Sequence, residues 1–453
     1  MCGIAGLLAP SQAREVLEAQ AQAMADGIAH RGPDDAGVWC DPELGLALAH
    51  RRLAILDLSP AGHQPMVSAS GRYVIAFNGE IYNHLRLRRE LERSSLLHEP
   101  WRSHSDTETL LAAIEVLGLE AALQRCVGMF ALALWDRRER VLQLARDRLG
   151  EKPLYWGLSG SGSTGSGAGR ALVFASELAA LRAWPGFDNP IDRQSLAQLL
   201  RFGAIAGPRS IHIGIQQLLP GHLLRLPLGA GLPEKLPASQ PWWCLRSSIA
   251  ESLANPFTDA AEGLYALEQA LGEAVQLQSL ADVPLGSFLS GGIDSSLITA
   301  LLQAHSSRPV RTFTIGFEES GFNEAPYARA VAAHLGTEHS ETLLTAADAQ
   351  ALTPQLPRLY SEPFADSSQL PTHLVCREAL RSGLTVALSG DGGDELFGGY
   401  NRYFWGLRIW NRLAWLPWPL RRWVGRAIHL LPPAGWDALG RPLPIAQLGH
   451  KAH

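Results

Sequence analysis

Short apolar runs alternate with helix-like segments through roughly the first 210 residues. Residues 3–8 form an apolar run directly after Cys2, and Gly71 to Asn78 reads as a second strand. Gly128 to Asp136 alternates apolar and small residues, Leu154 to Gly157 follows as in a hairpin, and Ala171 to Ala175 is a further strand. Over 107–118, Leu110, Leu111, Ile114 and Leu117 fall at helical spacing. Ser159 to Gly169 is almost wholly Ser and Gly and reads as a flexible loop tip, a tolerated surface insertion.

The pattern changes at 227–241, where Pro227, Gly229, Gly231, Pro233, Pro237 and Pro241 mark the end of one domain and the start of a linker. A helix is expected at about 259–280, followed by a strand–turn–helix rhythm. Val283 to Leu289 feeds a helix at 295–304, Val310 to Phe317 feeds one at 324–335, and Leu384 to Leu388 feeds a glycine-rich turn. Strands alternating with helices argue for a parallel, doubly wound sheet. The expected division is 2–210, an interdomain segment 211–258, and 259–453.

Composition narrows this little. The 453 residues are 46% hydrophobic and 18% charged, as in a globular protein of two or three domains. A net charge of -5 gives no nucleic-acid surface. Five cysteines, an odd number without a C-x-x-C pair, argue against a disulfide framework and fit a reducing cytoplasm. No signal peptide is visible, and no run reaches the roughly 18 apolar residues of a membrane span, so no membrane partner is expected.

Candidate chemistry starts at Cys2. Removal of Met1 would put a thiol and a free α-amine on one residue. The amine, with an ordinary pKa of about 7.7–8.0, can take a proton near neutrality. The thiol, at about 8.5, needs modest help to become a thiolate nucleophile. A buried cysteine of no function is the competing reading from position alone.

Cys2-Gly3-Ile4-Ala5-Gly6 is followed in order by His30-Arg31-Gly32-Pro33-Asp34, His50-Arg51-Arg52-Leu53, Phe77-Asn78-Gly79-Glu80-Ile81-Tyr82-Asn83 and Ser105-Asp106-Thr107-Glu108. With these strings the chain resembles the class II, N-terminal nucleophile glutamine amidotransferases over residues 2–210. The resemblance implies an α+β four-layer αββα sandwich with Cys2 as nucleophile. It assigns the α-carboxylate of glutamine to Arg52, whose planar fork suits that anion, and the α-ammonium to Asp106. Asn78 and the Gly79 N–H would form the oxyanion hole, with Ile55, Leu56 and Glu80 flanking the pocket. An ordinary surface ion pair is the alternative for Arg52 and Asp106.

A second constellation is Ser290-Gly291-Gly292-Ile293-Asp294-Ser295-Ser296, at the end of an apolar strand and the start of a helix. Hydroxyls and backbone N–H groups there can cradle phosphate oxygens, and Asp294 is placed to hold Mg2+. It is not a Walker A loop. Leu388-Ser389-Gly390-Asp391-Gly392-Gly393-Asp394-Glu395-Leu396-Phe397-Gly398-Gly399-Tyr400 follows. Together the strings resemble asparagine synthetase of the glutamine-hydrolysing type, whose second half is an α/β parallel-sheet ATP-pyrophosphatase domain. The resemblance implies glutamine, aspartate and ATP as substrates, Mg2+ as the metal, adenine near Leu289 and Ile315, and Ser389 and Gly390 facing nucleotide and adenylate. It leaves room for a homodimer.

Asp391 stands where many of these enzymes carry Glu, keeping the charge and shortening the reach. Relatives with that form are often associated with surface-polysaccharide genes, so a uronic acid is the alternative acceptor. Asp366, Ser367 and Ser368, within 361–373, are candidates for the acceptor's polar groups; a capped helix start is the competing reading. Family members usually continue through helices with an Asp-Arg motif and a late lysine. The chain stops at His453 without them, so it is expected to be a fragment or to have an incomplete second half. The six tryptophans from Trp405 to Trp436 and the surrounding arginines read as a helical lobe that packs on such a continuation, with a membrane-surface segment as the alternative.

Overall fold

The structure is a computed structural model. It describes the chain except residues 95–98, 161–168, 230, 233–235, 318–322, 431, 433–434, 437 and 439–453. Much of the Ser/Gly tip at 159–169, part of the segment 227–241 and the final stretch to His453 therefore lie outside the described residues. Two compact units are present, Met1–Ser389 and Gly390–His453.

Twelve strands build the amino-terminal part: β1 (Gly3–Leu8), β2 (Asp35–Asp41), β3 (Leu46–Arg52), β4 (Met66–Val67), β5 (Tyr73–Ile81), β6 (Gly128–Asp136), β7 (Val141–Arg146), β8 (Tyr155–Ser159), β9 (Ala171–Ala175), β10 (Ile215–Gln217), β11 (His222–Pro227) and β12 (Gln240–Pro241). They form two antiparallel six-stranded sheets, in orders β10-β8-β9-β1-β3-β2 and β12-β11-β7-β6-β5-β4. Alternation along the strands builds the layers. Ile4, Leu8, Leu46 and Leu48 of the first sheet meet Val74, Ala76, Ala131 and Trp135 of the second in one buried cluster. The opposite face of the first sheet packs Ala5, Leu7 and Ala47 on helix Arg14–Asp26 through Leu17 and Met24. The opposite face of the second packs Ile75 and Phe77 on helices His84–Arg93 and Asp106–Leu117. This is the expected αββα sandwich.

The expected strands at 3–8, 128–136 and 171–175 are present, while the strand expected from Gly71 runs from Tyr73 to Ile81, because Gly71 sits in a turn with φ +73°. Other strands escaped a reading based on apolar periodicity. Strand β3 ends in His-Arg-Arg and β2 opens on Asp. The two sheets also take in residues beyond 210, since β10 pairs with β8, β11 with β7 and β12 with β11. Pro241 is tolerated because β12 is an edge strand.

Four parallel strands follow: β13 (Leu285–Phe288), β14 (Arg311–Phe317), β15 (Glu338–Leu344) and β16 (Val386–Leu388), in the order β15-β14-β13-β16. Helices cover both faces. Leu285 and Leu388 pack with Val275 and Leu302 on one side, while Phe288 and Ala387 pack with Ala379 on the other. The sheet order makes β13 and β16 neighbours, with Ser287 opposite Leu388, so the loops starting at Ser290 and Ser389 leave the sheet at the same edge. In the second unit, helices Asn401–Leu413 and Trp418–Ile428 and the turn between them expose Trp405, Trp410, Trp415, Trp418 and Trp423. Among the described residues no helix is long and apolar enough to cross a membrane.

Candidate active site

Strand parity assembles the first site. Cys2 precedes β1 with the parity of Ile4, and Asn78 in β5 has the parity of Val74 and Ala76. Both therefore share the register of the residues that fill the gap between the sheets. A cavity of about 50 Å³ lies there, lined by Cys2, Arg52, Ile55, Leu56, Asn78, Gly79, Glu80 and Asp106, together with Met1, Gly62 and Lys152. All eight residues expected from the motifs in this half thus meet at one place.

Local contacts fix each group. The Leu53 N–H donates to Cys2 Sγ at 3.4 Å. Arg31 Nε donates to the Cys2 carbonyl at 2.8 Å, and Arg31 Nη1 pairs with Glu177 at 2.6 Å. Arg31 thereby ties the start of β1 down. Arg52 Nη1 donates to Ser59 O at 3.0 Å, and Nη2 donates to Leu56 O at 3.3 Å and to Asp57 O. Those carbonyls belong to one loop that wraps the guanidinium. Gly62 is needed beside it, because a Cβ there would lie 1.9 Å from Arg52 Nη2.

Gly79 pairs with Phe130, and a Cβ at Gly79 would sit 2.2 Å from Met129 O, so no side chain fits without moving the sheet. Asn78 is fully buried; its Nδ2 reaches Ser176 Oγ only at 3.5 Å, and its Oδ1 has no partner among the described residues. That leaves its amide weakly committed. Asp106 opens a helix capped by Ser105, whose side chain accepts the Glu108 N–H, and Asp106 Oδ2 accepts the Ile81 N–H at 2.8 Å.

Burial governs the protons. It pushes the Cys2 thiol up, against the Leu53 N–H and the charge of Arg52. It brings the Met1 amine down to about 6. Burial, and then the charge of Asp106, raises Glu80 to about 7. Burial raises Asp106 despite the hydrogen bond from Ile81, and it lowers the Lys152 ammonium, with Glu80 opposing. The arrangement can hold a zwitterion with a cation at one end and carboxylates at the other, beside a nucleophile.

The second constellation forms a compact turn between β13 and helix Ile293–His305. Gly291 has φ +80°, and a Cβ there would lie 2.6 Å from Ala328 N. Ser295 Oγ accepts from Ser290 N at 3.2 Å and lies 2.8 Å from Ser290 Oγ, while Ser290 Oγ accepts the Gly292 N–H at 3.2 Å. The Ser296 hydroxyl is buried without a partner among the described residues. Asp294 is half-buried in the first helical turn. Leu289 is buried against Ala328 and Ala332, and its carbonyl accepts from Thr314 Oγ1; Ile315 packs instead toward Leu344 and Leu374. Leu289 and Ile315 thus sit in different clusters of the same sheet. Ser389 ends the first unit, and Gly390 and Asp391 open the second.

Asp366 Oδ1 accepts the Ser368 N–H at 2.8 Å at the start of helix Gln369–Arg381, which favours the helix-start reading of that segment. Glu362 in the same stretch accepts from Tyr155 OH at 3.0 Å, Ile211 N at 2.8 Å and Gln217 Nε2 at 3.0 Å. Among the described residues no group of three His, Cys, Asp or Glu side chains is arranged for a metal ion. Arg31, within a quoted motif but without an assigned task, gains one here. Lys152, Gly62 and Ser176 carried no signal in the sequence, because their importance comes only from approach in space.

A glutamine amidotransferase domain family matches residues 1–236, and an asparagine synthase family matches residues 266–452. A putative glutamine-hydrolysing asparagine synthetase of Mycobacterium bovis is 36% identical over 412 residues, which cover 89% of this chain and 60% of the relative. Asparagine synthetase (glutamine-hydrolysing) 1 of Bacillus subtilis is 34% identical over 409 residues, 89% of this chain and 59% of the relative. A putative enzyme of the same description from Methanocaldococcus jannaschii is 32% identical over 433 residues, 90% of this chain and 77% of the relative. The chain thus spans about 60% of the length of the first two. With the ordered cysteine, arginine and asparagine pocket in its sandwich, the chain belongs to the glutamine-hydrolysing asparagine synthetase family.

Proposed function

We propose that the chain makes asparagine from aspartate and ATP with ammonia drawn from glutamine. The observation that carries this reading is the convergence of Cys2, Arg52, Asn78, Gly79, Glu80 and Asp106 on one cavity. Once Met1 is removed, Cys2 Sγ passes its proton to the α-amine freed on the same residue and attacks the side-chain amide carbon of glutamine. Asn78 and the Gly79 N–H stabilise the oxyanion, and collapse expels ammonia and leaves a thioester that water hydrolyses to glutamate. Arg52 takes the α-carboxylate, Asp106 with Glu80 the α-ammonium.

In the second half, a β-carboxylate oxygen of aspartate attacks the α-phosphorus of ATP and pyrophosphate leaves. Ammonia then attacks the acyl carbon and AMP leaves. Ser290, Gly291, Gly292, Ser295 and Ser296 cradle the leaving phosphates. The backbone at Leu289 and Ile315 flanks adenine, and Ser389 faces the adenylate. The unpartnered Ser296 hydroxyl supports an anion at this turn. Asp294 would hold Mg2+, which suits a single carboxylate beside phosphate oxygens and would neutralise the diphosphate charge. The division of work is a glutaminase half that runs beyond the expected 2–210 to take in β10, β11 and β12, and a synthetase half at 259–453. A cytoplasmic setting follows from the reduced thiols the mechanism requires.

Pyrophosphate release from MgATP with ammonium, with and without aspartate, tests the second half. Aspartate-dependent release with asparagine formed supports the proposal; release that needs another carboxylate would replace aspartate as acceptor. Cys2→Ala is expected to lose glutamine hydrolysis by at least about 10³-fold while sparing ammonium-dependent synthesis, checked by glutamate and asparagine production.

A further inference from the structure

One residue of the synthetase half reaches into the wall of the cysteine pocket. Asp282 lies three residues before β13, the strand that runs into the Ser290–Ser296 turn. Its backbone N–H donates to Ile55 O at 2.9 Å, and its Oδ2 accepts the Asp57 N–H at 2.8 Å. The two bonds run in opposite directions, so Asp282 holds segment 55–57 as a strand partner would. The same Oδ2 lies 2.9 Å from His104 Nε2, and His104 also donates its backbone N–H to Asp57 Oδ2 at 3.0 Å. His104 stands two residues before Asp106. Asp57 is buried, and hydrogen bonds from Ser59 and His104 outweigh that burial and keep its carboxylate ionised below the usual range. The segment gripped by Asp282 lines the cavity through Ile55 and Leu56, and its Leu56 and Asp57 carbonyls hold the Arg52 guanidinium.

A continuous path of hydrogen bonds and short chain segments therefore joins the turn at 290 to Arg52 on one branch and to Asp106 on the other. On its synthetase side the path also branches, because Pro284 O accepts the N–H groups of Thr385 and Val386 at the start of β16. These contacts link β13 to the loop that sets the Arg52 fork.

We infer that Asp282 is a positioning residue that couples occupancy of the synthetase half to glutamine affinity in the sandwich, acting through segment 55–57 on Arg52 and through His104 on Asp106. The inference rests on the glutamine reading of the cavity. Asp282 touches neither Cys2 nor the Asn78–Gly79 pair, so it sets binding and not the chemical step.

The test is glutaminase kinetics of the full chain, with and without MgATP, for the parent, Asp282→Ala and Asp282→Asn. The parent is expected to change its KM for glutamine when MgATP is added. Asp282→Ala is expected to raise that KM about tenfold, with kcat within about twofold, and to lose the response to MgATP. Asp282→Asn keeps an acceptor for the Asp57 N–H and is expected to recover most of the KM without relying on a disruptive truncation. A parent KM indifferent to MgATP, or an Asp282→Ala variant with the parental KM and response, overturns the coupling. A folded parent that hydrolyses no glutamine overturns the underlying reading of the cavity instead, and the two failures are told apart by that single control.

Discussion

Glu80 shows how one buried side chain ties stability to pH. Burial and Asp106 lift it from its ordinary 4.5 to about 7, so the uncharged form is favoured in the folded chain. A raised pKa gives a contribution that is complete below the unfolded value and is lost as pH rises through the folded one. The window is therefore from about 4.5 to about 7. Glu80→Gln should melt at nearly the parental temperature near about pH 4 and above it near about pH 8, as measured by thermal scans across that range. An equal difference at both ends would deny Glu80 its proton. Cys2, Arg52, Asn78 and Asp106 were legible in sequence because each sits in a short string of fixed order. Lys152 and Asp282 were not, since neither sits in such a string and both matter only through approach in space, Lys152 in the wall of the cavity and Asp282 against Asp57.

At the level of elements, apolar alternation revealed strands whose two faces are both buried and missed those with polar ends. Strand β15, Glu-His-Ser-Glu-Thr-Leu-Leu, exists because β14 offers it seven paired positions at the sheet edge, not because its own pattern asks for a strand. The turn after β13 was legible from its glycines, of which Gly291 is obligatory. Gly291→Ala would combine a φ of +80° with a Cβ 2.6 Å from Ala328 N, so the turn must move. Its expected effect is loss of ATP-dependent pyrophosphate release by about 10²-fold, with glutamine hydrolysis in the absence of ATP retained. Equal loss of both activities would mean that the turn is needed for the fold of the sandwich as well.

Across the first unit as a whole, Glu362 is a polar tie at the seam between sandwich and parallel sheet. Its carboxylate accepts from Tyr155 in β8, from the backbone of Ile211 and from Gln217 in β10, and burial raises its pKa. Beside it Ser361 Oγ accepts the Leu178 N–H at 3.0 Å, and the Ala365 N–H donates to Gly203 O at 2.6 Å. Glu362→Ala leaves three donors facing a gap and is expected to cost about 2–4 kcal/mol. Calorimetry should then resolve two transitions where the parent shows one, because a polar tie between the halves would be lost. A single transition at an unchanged temperature would show that the seam holds by other means.

The cavity between the sheets was described through parity: Cys2 in step with Ile4, Asn78 in step with Val74 and Ala76. Parity is a property of counting, so its failure mode is insertion or deletion more than substitution. Removing one residue between Tyr73 and Phe77 would turn Asn78 toward the helices and thrust a neighbour of the wrong character into the gap, even though every side chain survived. A scan of single-residue deletions along β5, read out as glutamine hydrolysis in the folded fraction, should find no active variant. The strand thus acts as a ruler, and its length in residues is as much a part of the catalyst as its thiol.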